Sequence, residues 1–315
     1  MRISGGLFLC PLEAKMKYKK PPLSFEKQLH LLKERGLKIS SDKHALHVLE
    51  HINYYRLSGY FLPFQSQKDT FDDGTRLDDI LYLYEFDGAL RNLLVEGLAR
   101  IEVSSKTRIA HYIALKYGAF GYINDSNFDF KRPQVHITHE EWLSKVRQNI
   151  ARSHESFKRH FFQKYHSETD LPIWIAVELM SFGDVSHLYR GLRKQDRQDI
   201  ARGYFQVDQK LMCSWLHTIV YIRNICAHHS RIWNRQLAIR PLLNKKDTNW
   251  HGVINSKIFA VILLIKKMIQ YQGKWDEWSG KLLLLLSDFS RVDISKMGFP
   301  SNWREVIFDG KRAIY

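Results

Sequence analysis

Residues 77–117 read LDDILYLYEFDGALRNLLVEGLARIEVSSKTRIAHYIALKY, and their pattern decides the fold. Apolar side chains recur at Ile80, Leu83, Leu90, Leu94, Leu98, Ile101, Ile109 and Ile113. Steps of three, four, seven and eight keep these positions on one face of a 3.6-residue turn. The spacing predicts one long helix over Leu77 to Tyr117, with Thr75 and Asp78 as its N-terminal capping residues. Gly88 and Gly97 allow bends or close packing within it. Glu96, Arg100, Glu102 and Arg108 lie along the same helix. One of the glutamates can hold an arginine of a neighbouring helix by a bidentate pair. For any one of them the solvated face charge is the preferred reading, and spacing does not say which glutamate does more. Strand-type alternation is rare elsewhere, and there is no glycine-rich phosphate or dinucleotide loop. The expectation is an all-α, multi-helix bundle.

Working toward the N-terminus, Ser41-Asp42 opens a helix with Ala45, Leu46, Leu49 and Ile52 at helical spacing. Before it, Ser24 can cap a helix with Phe25, Leu29 and Leu32 on one face, stopped by Gly36. The stretch Asn53-Tyr54-Tyr55-Arg56-Leu57-Ser58-Gly59-Tyr60-Phe61 is dense in aromatics. Interleaved tyrosine and arginine can stack on bases and pair with phosphates. The same rings can instead be core, plugging the joint between an N-terminal helical pair and the main body. The domain expectation is a disordered extension over 1–16, an N-terminal helical segment over 17–65 and a helical domain over 66–315. Residues 1–15 read as an upstream extension outside the core, with a more ordinary start at Met16.

Toward the C-terminus, Thr138 with Glu141 is a capping-box signature. The helix it opens reads as continuous to about Tyr165 and is basic, with Lys145, Arg147, Arg152, Lys158, Arg159 and Lys164 beside His154 and His160. It is either a phosphate-tracking face or the exposed basic side of an amphipathic helix. Pro172 suits the first turn of a helix ending near Met180, and a short helix follows Ser181-Phe182-Gly183-Asp184 to Leu192. Arg190, Arg193, Lys194 and Arg197 make a second basic patch. Asp208 starts a further helix, and two more are expected near 253–271 and 276–289.

The 315 residues are 44% hydrophobic, enough for a sizeable core, and carry a net charge of +15. That charge favours polyanionic partners. Three cysteines, Cys10, Cys213 and Cys226, without a Cys-x-x-Cys, exclude a disulfide framework or zinc ribbon and fit a reducing cytoplasm. No membrane association is expected. The apolar run Ile258 to Ile265 stops at Lys266-Lys267, and Leu282 to Leu286 is shorter, both far below the roughly 20 residues that cross a bilayer.

The chemistry concentrates at Arg223-Asn224-Ile225-Cys226-Ala227-His228-His229, at the end of the helix that Asp208 starts. RNA can cleave itself through its 2′-OH. A histidine can take that proton or give one to the leaving 5′-oxygen. An arginine can hold the phosphate as charge builds, and an asparagine can orient either. No metal is needed. At about 100° per residue, Asn224 and His228 share a face, whereas Arg223 and His228 differ by about 140°. Both serve one phosphate only if the helix distorts near Ala227, if Arg223 reaches round, or if two copies face each other. No second Arg-Asn-x-x-x-His is present in the chain, which favours a homodimer. Two simpler readings stand beside this. His228 and His229 can be a favourable pair at a helix C-terminus. A metal at His217, His228 and His229 is a further option, although adjacent histidines point apart and no acidic or cysteine ligand is near in sequence.

The run Arg223 to His229, continued by Ser230-Arg231-Ile232-Trp233-Asn234, resembles the signature of the Abi family of bacterial abortive-infection proteins, the AbiD/AbiF group. The resemblance extends to Lys20-Pro21-Pro22-Leu23-Ser24-Phe25, to Asn53-Tyr54-Tyr55-Arg56-Leu57-Ser58-Gly59-Tyr60, and to Leu171-Pro172-Ile173-Trp174 with Glu178 and Ser181-Phe182-Gly183. Met297-Gly298-Phe299-Pro300 with Trp303 closes it. It spans about residues 17 to 307 in family order. It implies the HEPN superfamily of helical domains, whose ribonucleases share an Arg, a polar residue and a following His, positions matched by Arg223, Asn224 and His228. His229 also fits the allowed spacing. It implies a composite site in a homodimer, no cofactor, a role in phage defence, and regulation by a partner RNA or antitoxin. The expected function is a metal-independent endoribonuclease with catalytic Arg223, Asn224, and His228 or His229. Lys145, Arg147, Arg152, Lys158, Arg159, Arg231 and Arg235 are the expected RNA contacts. The rival from another class is a non-catalytic RNA-binding or sensing module. A DNA-binding regulator is disfavoured by the lack of a helix-turn-helix with a basic recognition helix.

Overall fold

The computed structural model describes residues 21–132 and 135–308. The extension expected over 1–16, and Cys10 with it, lie outside the described residues. The fold is all-α: 65% of the chain is helical, and there is no strand among the described residues. They form thirteen α-helices. These are α1 Phe25–Glu34, α2 Asp42–His51, α3 Tyr54–Ser58, α4 Leu77–Tyr117, α5 His139–Arg152, α6 Ser156–Lys164 and α7 Ile173–Leu179. The rest are α8 Phe182–Gly191, α9 Lys194–Phe205, α10 Gln209–Ala227, α11 Ile258–Ile269, α12 Trp275–Asp288 and α13 Trp303–Phe308. No helix among the described residues is long and apolar enough to cross a membrane. The chain divides into two compact units, residues 1–81 and 82–315, and the division falls in the first turns of α4.

In the first unit α1 and α2 pack on each other. Ser24 and Ser41 cap them, each hydroxyl accepting a backbone N–H three residues on, at 3.4 and 3.3 Å. The α1 face Leu29 and Leu32 is buried. Its end is a Schellman turn: Gly36 takes φ +91°, and Leu37 N–H returns to Leu32 O at 3.0 Å. The aromatic stretch is core. Leu57, Tyr60 and Phe61 are buried, Phe61 meets Phe71 edge-on at 5.1 Å, and Arg35 donates to the Tyr54 hydroxyl at 3.0 Å. Tyr55 differs, standing 86% exposed. Thr75 does not cap α4 as expected. Its hydroxyl donates to Asp72 O at 2.7 Å, and Asp79 instead accepts the Arg76 N–H at 3.2 Å.

In the second unit the α4 positions Leu90, Leu94, Leu98, Ile101, Ile109 and Ile113 are all fully buried. Gly97 allows close packing: a Cβ there would stand 2.9 Å from Trp278 Nε1 and 3.0 Å from Ile265. The indole N–H of Trp278 donates to Leu93 O at 2.9 Å, tying α12 to α4. The almost wholly apolar α11 is buried on every side, as a helix without a polar face must be. Lys266 escapes the charge penalty by donating to Val306 O at 2.8 Å. Helix α8 packs on α5 and α10, and α10 also packs on α9 and α11. A capping box at Ser181 and Asp184 starts α8, and Trp142 of α5 donates to Asp184 O at 2.9 Å.

The long basic helix expected after Thr138 is two helices, α5 and α6, broken at residues 153–155. Lys158 closes the break. Its ammonium donates to Ile150 O, Ala151 O and Ser153 O at 2.9, 3.2 and 2.7 Å, adding to the Ser153 N–H that Ile150 O already accepts, where the end of α5 runs short of backbone donors.

Candidate active site

Asp208 caps α10, its carboxylate accepting the Lys210 N–H at 2.8 Å. Met212, Trp215, Leu216, Ile219, Ile222, Ile225 and Cys226 turn inward and are buried. The opposite side of the last turns is open: Arg223, Asn224, Ala227, His228 and His229 are all exposed. At about 100° per residue, Arg223 and His228 mark the two edges of an arc of about 140°, with Ala227 and Asn224 between them. The small Ala227 side chain leaves the middle of that arc uncovered.

The end of the helix is fixed by its own backbone. Ser230 N–H donates to Ile225 O and His229 N–H to Cys226 O, both at 3.0 Å, with His229 at φ +53°. This is a Schellman motif with histidine where glycine is usual. The distortion that would bring Arg223 and His228 together does not occur before Ala227; the chain leaves the helix at His228, whose own N–H still closes onto Asn224 O at 3.0 Å.

The segment that follows is anchored from α4. Asp87, 0% exposed, accepts Ile232 N–H at 3.0 Å and Trp233 N–H at 2.6 Å. It also pairs with the buried Arg91 one turn along α4. A buried carboxylate with two amide donors and a guanidinium is fully compensated. The histidine pair is thus held between a Schellman turn and a buried anchor. Asn234 takes φ +52°, and its side-chain oxygen accepts from Lys257 at 2.9 Å.

Glu102 is the α4 glutamate that reaches the site. Its Oε2 stands 3.9 Å from Arg223 Nε, a single loose contact instead of a bidentate pair, and Lys106 lies 3.4 Å from its other oxygen. Glu96 is taken by Arg100 and Lys281. Arg223 Nη1 also donates to Asn224 Oδ1 at 3.4 Å. These contacts leave the guanidinium half exposed, steered by an acid and an amide. Cys226 turns inward from this arc, and burial pushes its thiol up to about 12.

The expected RNA contacts divide. Arg147 is committed to a bidentate pair with Asp170, at 2.8 and 2.7 Å. Lys158 caps α5, and Lys145 lies 3.4 Å from the buried Asp184. Arg235 donates to Arg231 O at 3.1 Å, and both are half-buried. Arg152 and Arg159 are exposed, and Arg159 lines a cleft with His154, Phe162 and His166. His217, His228 and His229 do not form a group of converging ligand atoms among the described residues.

Asp87 and Arg91 were missed in the sequence. Their signal was present: an acid and a base at i and i+4 on the apolar stripe of Leu83, Leu90, Leu94 and Leu98.

Fold and site together define an all-α protein with an Arg-Asn/His pair displayed at one helix end. The family model for Abi-like proteins matches residues 47–234, more than half of the chain and ending at the last residue of the motif, and the chain belongs to that family. No curated protein and no solved structure matches it.

Proposed function

We propose that this Abi-like protein is a metal-independent endoribonuclease acting in abortive infection, of the AbiD/AbiF type and the HEPN superfamily. The observation that carries the reading is the exposed arc from Arg223 through Asn224 and Ala227 to His228, on a helix end that two independent devices hold still. Family membership supports the defence role.

The reaction needs four events. The RNA 2′-OH loses its proton to an imidazole, and its oxygen bonds to phosphorus. The bond from phosphorus to the 5′-oxygen breaks, and that oxygen takes up a proton. An imidazole serves one proton transfer, and a second group of the site or water serves the other. Arg223 holds the phosphate oxygens while charge accumulates, and Asn224 orients the imidazole or donates to an oxygen. His228 is the first choice for the imidazole. Both imidazoles are exposed; His228 continues the face of Asn224 at the helix end, whereas the left-handed backbone of His229 turns its side chain out of the helical arc.

Because Arg223 and His228 occupy opposite edges of the arc, the productive pairing is Arg223 of one copy with His228 of another, in a homodimer working in the cytoplasm. Arg152 and Arg159, both exposed, are the basic side chains proposed to hold more RNA by its phosphates. A regulatory RNA or antitoxin would cover the same arc.

Complementation tests the shared site. Arg223→Ala and His228→Ala proteins are each expected to be inactive on labelled RNA. Co-refolded together, they regain up to about a quarter of wild-type cleavage, because half the dimers are mixed and each holds one intact pairing. Binding of RNA by wild type without any cleavage would favour the sensing module instead.

A further inference from the structure

Helix α2 displays His47, Glu50 and His51 on its exposed side. Their i, i+3 and i+4 spacing stacks them over a single turn. One ligand atom from each, two ring nitrogens and a carboxylate oxygen, lie within 4.8 Å of one another. The two imidazole rings converge, with centroids 4.2 Å apart at 44°. The second imidazole is already oriented. Its Nδ1 lies 2.8 Å from His47 O. A carbonyl only accepts, so that nitrogen carries the proton and the lone pair sits on Nε2. A ring N–H given to a backbone carbonyl is the outer contact that metal-binding histidines use to fix tautomer and direction. Among the described residues Glu50 makes no ion pair, so its carboxylate is open to a ligand.

We infer that His47, Glu50 and His51 form a binding site for one borderline divalent cation, of which zinc is the representative. Two imidazoles and a carboxylate are the donor set of such ions, and not of magnesium or calcium. Ligand atoms held at roughly 2.0–2.2 Å around a tetrahedral ion lie roughly 3.3–3.6 Å from each other. Closing from 4.8 Å takes only small rotations of exposed side chains. With three protein ligands, the fourth position belongs to water. The site lies in the first unit, on residues that take no part in the proposed cleavage, so the two readings stand or fall separately. Bound to the folded turn and not to the unfolded chain, the cation stabilises α2 by mass action.

Calorimetric titration of the full chain with zinc chloride, after stripping with chelator, tests the site, with circular dichroism confirming that each variant folds. Wild type is expected to take up one equivalent that the His47→Ala/His51→Ala double variant does not. Each single histidine variant weakens that equivalent by more than the roughly 10–100-fold that loss of a mere outer contact costs. Zinc raises the melting temperature of wild type and leaves that of the double variant unmoved. His44→Ala, three residues earlier on α2, keeps wild-type affinity. Equal zinc uptake by wild type and double variant overturns the site, and so does a loss in His44→Ala as large as in the double variant.

Discussion

Replacing Asp87 with alanine removes one carboxylate and strands three groups. Arg91, whose side chain is 7% exposed, loses its buried partner. The amides of Ile232 and Trp233 lose their acceptor. Breaking a buried ion pair costs about 3–5 kcal/mol, because the surviving charge has no compensation. Each stranded amide adds about 1–3 kcal/mol, less whatever water recovers. The three share one acceptor, so the terms are not additive, and about 4–6 kcal/mol is the expected total. A stability of about 5–15 kcal/mol makes that a large part of the whole. Asp87→Asn keeps an oxygen for the amides but loses the charge and turns an NH2 toward Arg91, so the amide part of the cost is spared and the ion-pair part, about 3–5 kcal/mol, remains. The assay is urea unfolding of wild type, Asp87→Ala, Asp87→Asn and Asp87→Ala/Arg91→Met. The double variant should recover part of the loss, since it no longer buries a cation deprived of the Asp87 carboxylate. RNA cleavage should fall with the local order of residues 228–234, read as faster amide exchange at Ile232 and Trp233. A cost below about 1 kcal/mol for Asp87→Ala, or no recovery in the double variant, refutes the anchoring role.

His229→Gly relieves a left-handed residue, with φ +53°, and is expected to add up to about 1 kcal/mol of stability while keeping cleavage. Loss of cleavage by that variant would move the catalytic role to His229. His187 and His217 are held below the ordinary imidazole value of 6.5, first by burial and then by nearby cations including Arg190. The unfolded chain therefore binds more protons below pH 6.5, so their contribution is complete above that pH and is lost as pH falls through the lowered folded values. The urea midpoint should drop between pH 7 and 5, and less so in His187→Gln. Gly97→Ala forces a methyl against Trp278 and Ile265 and should cost about 1–3 kcal/mol, measured by the same unfolding.

The helices were legible because their apolar stripes and caps are local. Leu77–Tyr117 forms as its spacing requires, and Ser24, Ser41, Thr138 and Asp208 cap as their side chains allow. The arc at the end of α10 was equally legible, since it follows from 100° per residue. The fate of the basic residues was not. Arg147 finds Asp170 twenty-three positions away, and Lys158 folds back on α5, so two expected phosphate contacts are structural. The Schellman turn was hidden because histidine stands where glycine would have announced it. That Glu102, and not Glu96, reaches Arg223 is a contact between residues far apart in the chain, which spacing within one helix cannot give.

The most direct measurement incubates wild type and His228→Ala with total RNA in EDTA and maps the new ends. Wild type should cut RNA with chelator present and leave 2′,3′-cyclic phosphate termini. His228→Ala, folded and in the same oligomeric state, should leave the RNA intact. Cleavage by His228→Ala at the wild-type rate, or cleavage by wild type that chelator abolishes, would contradict the account.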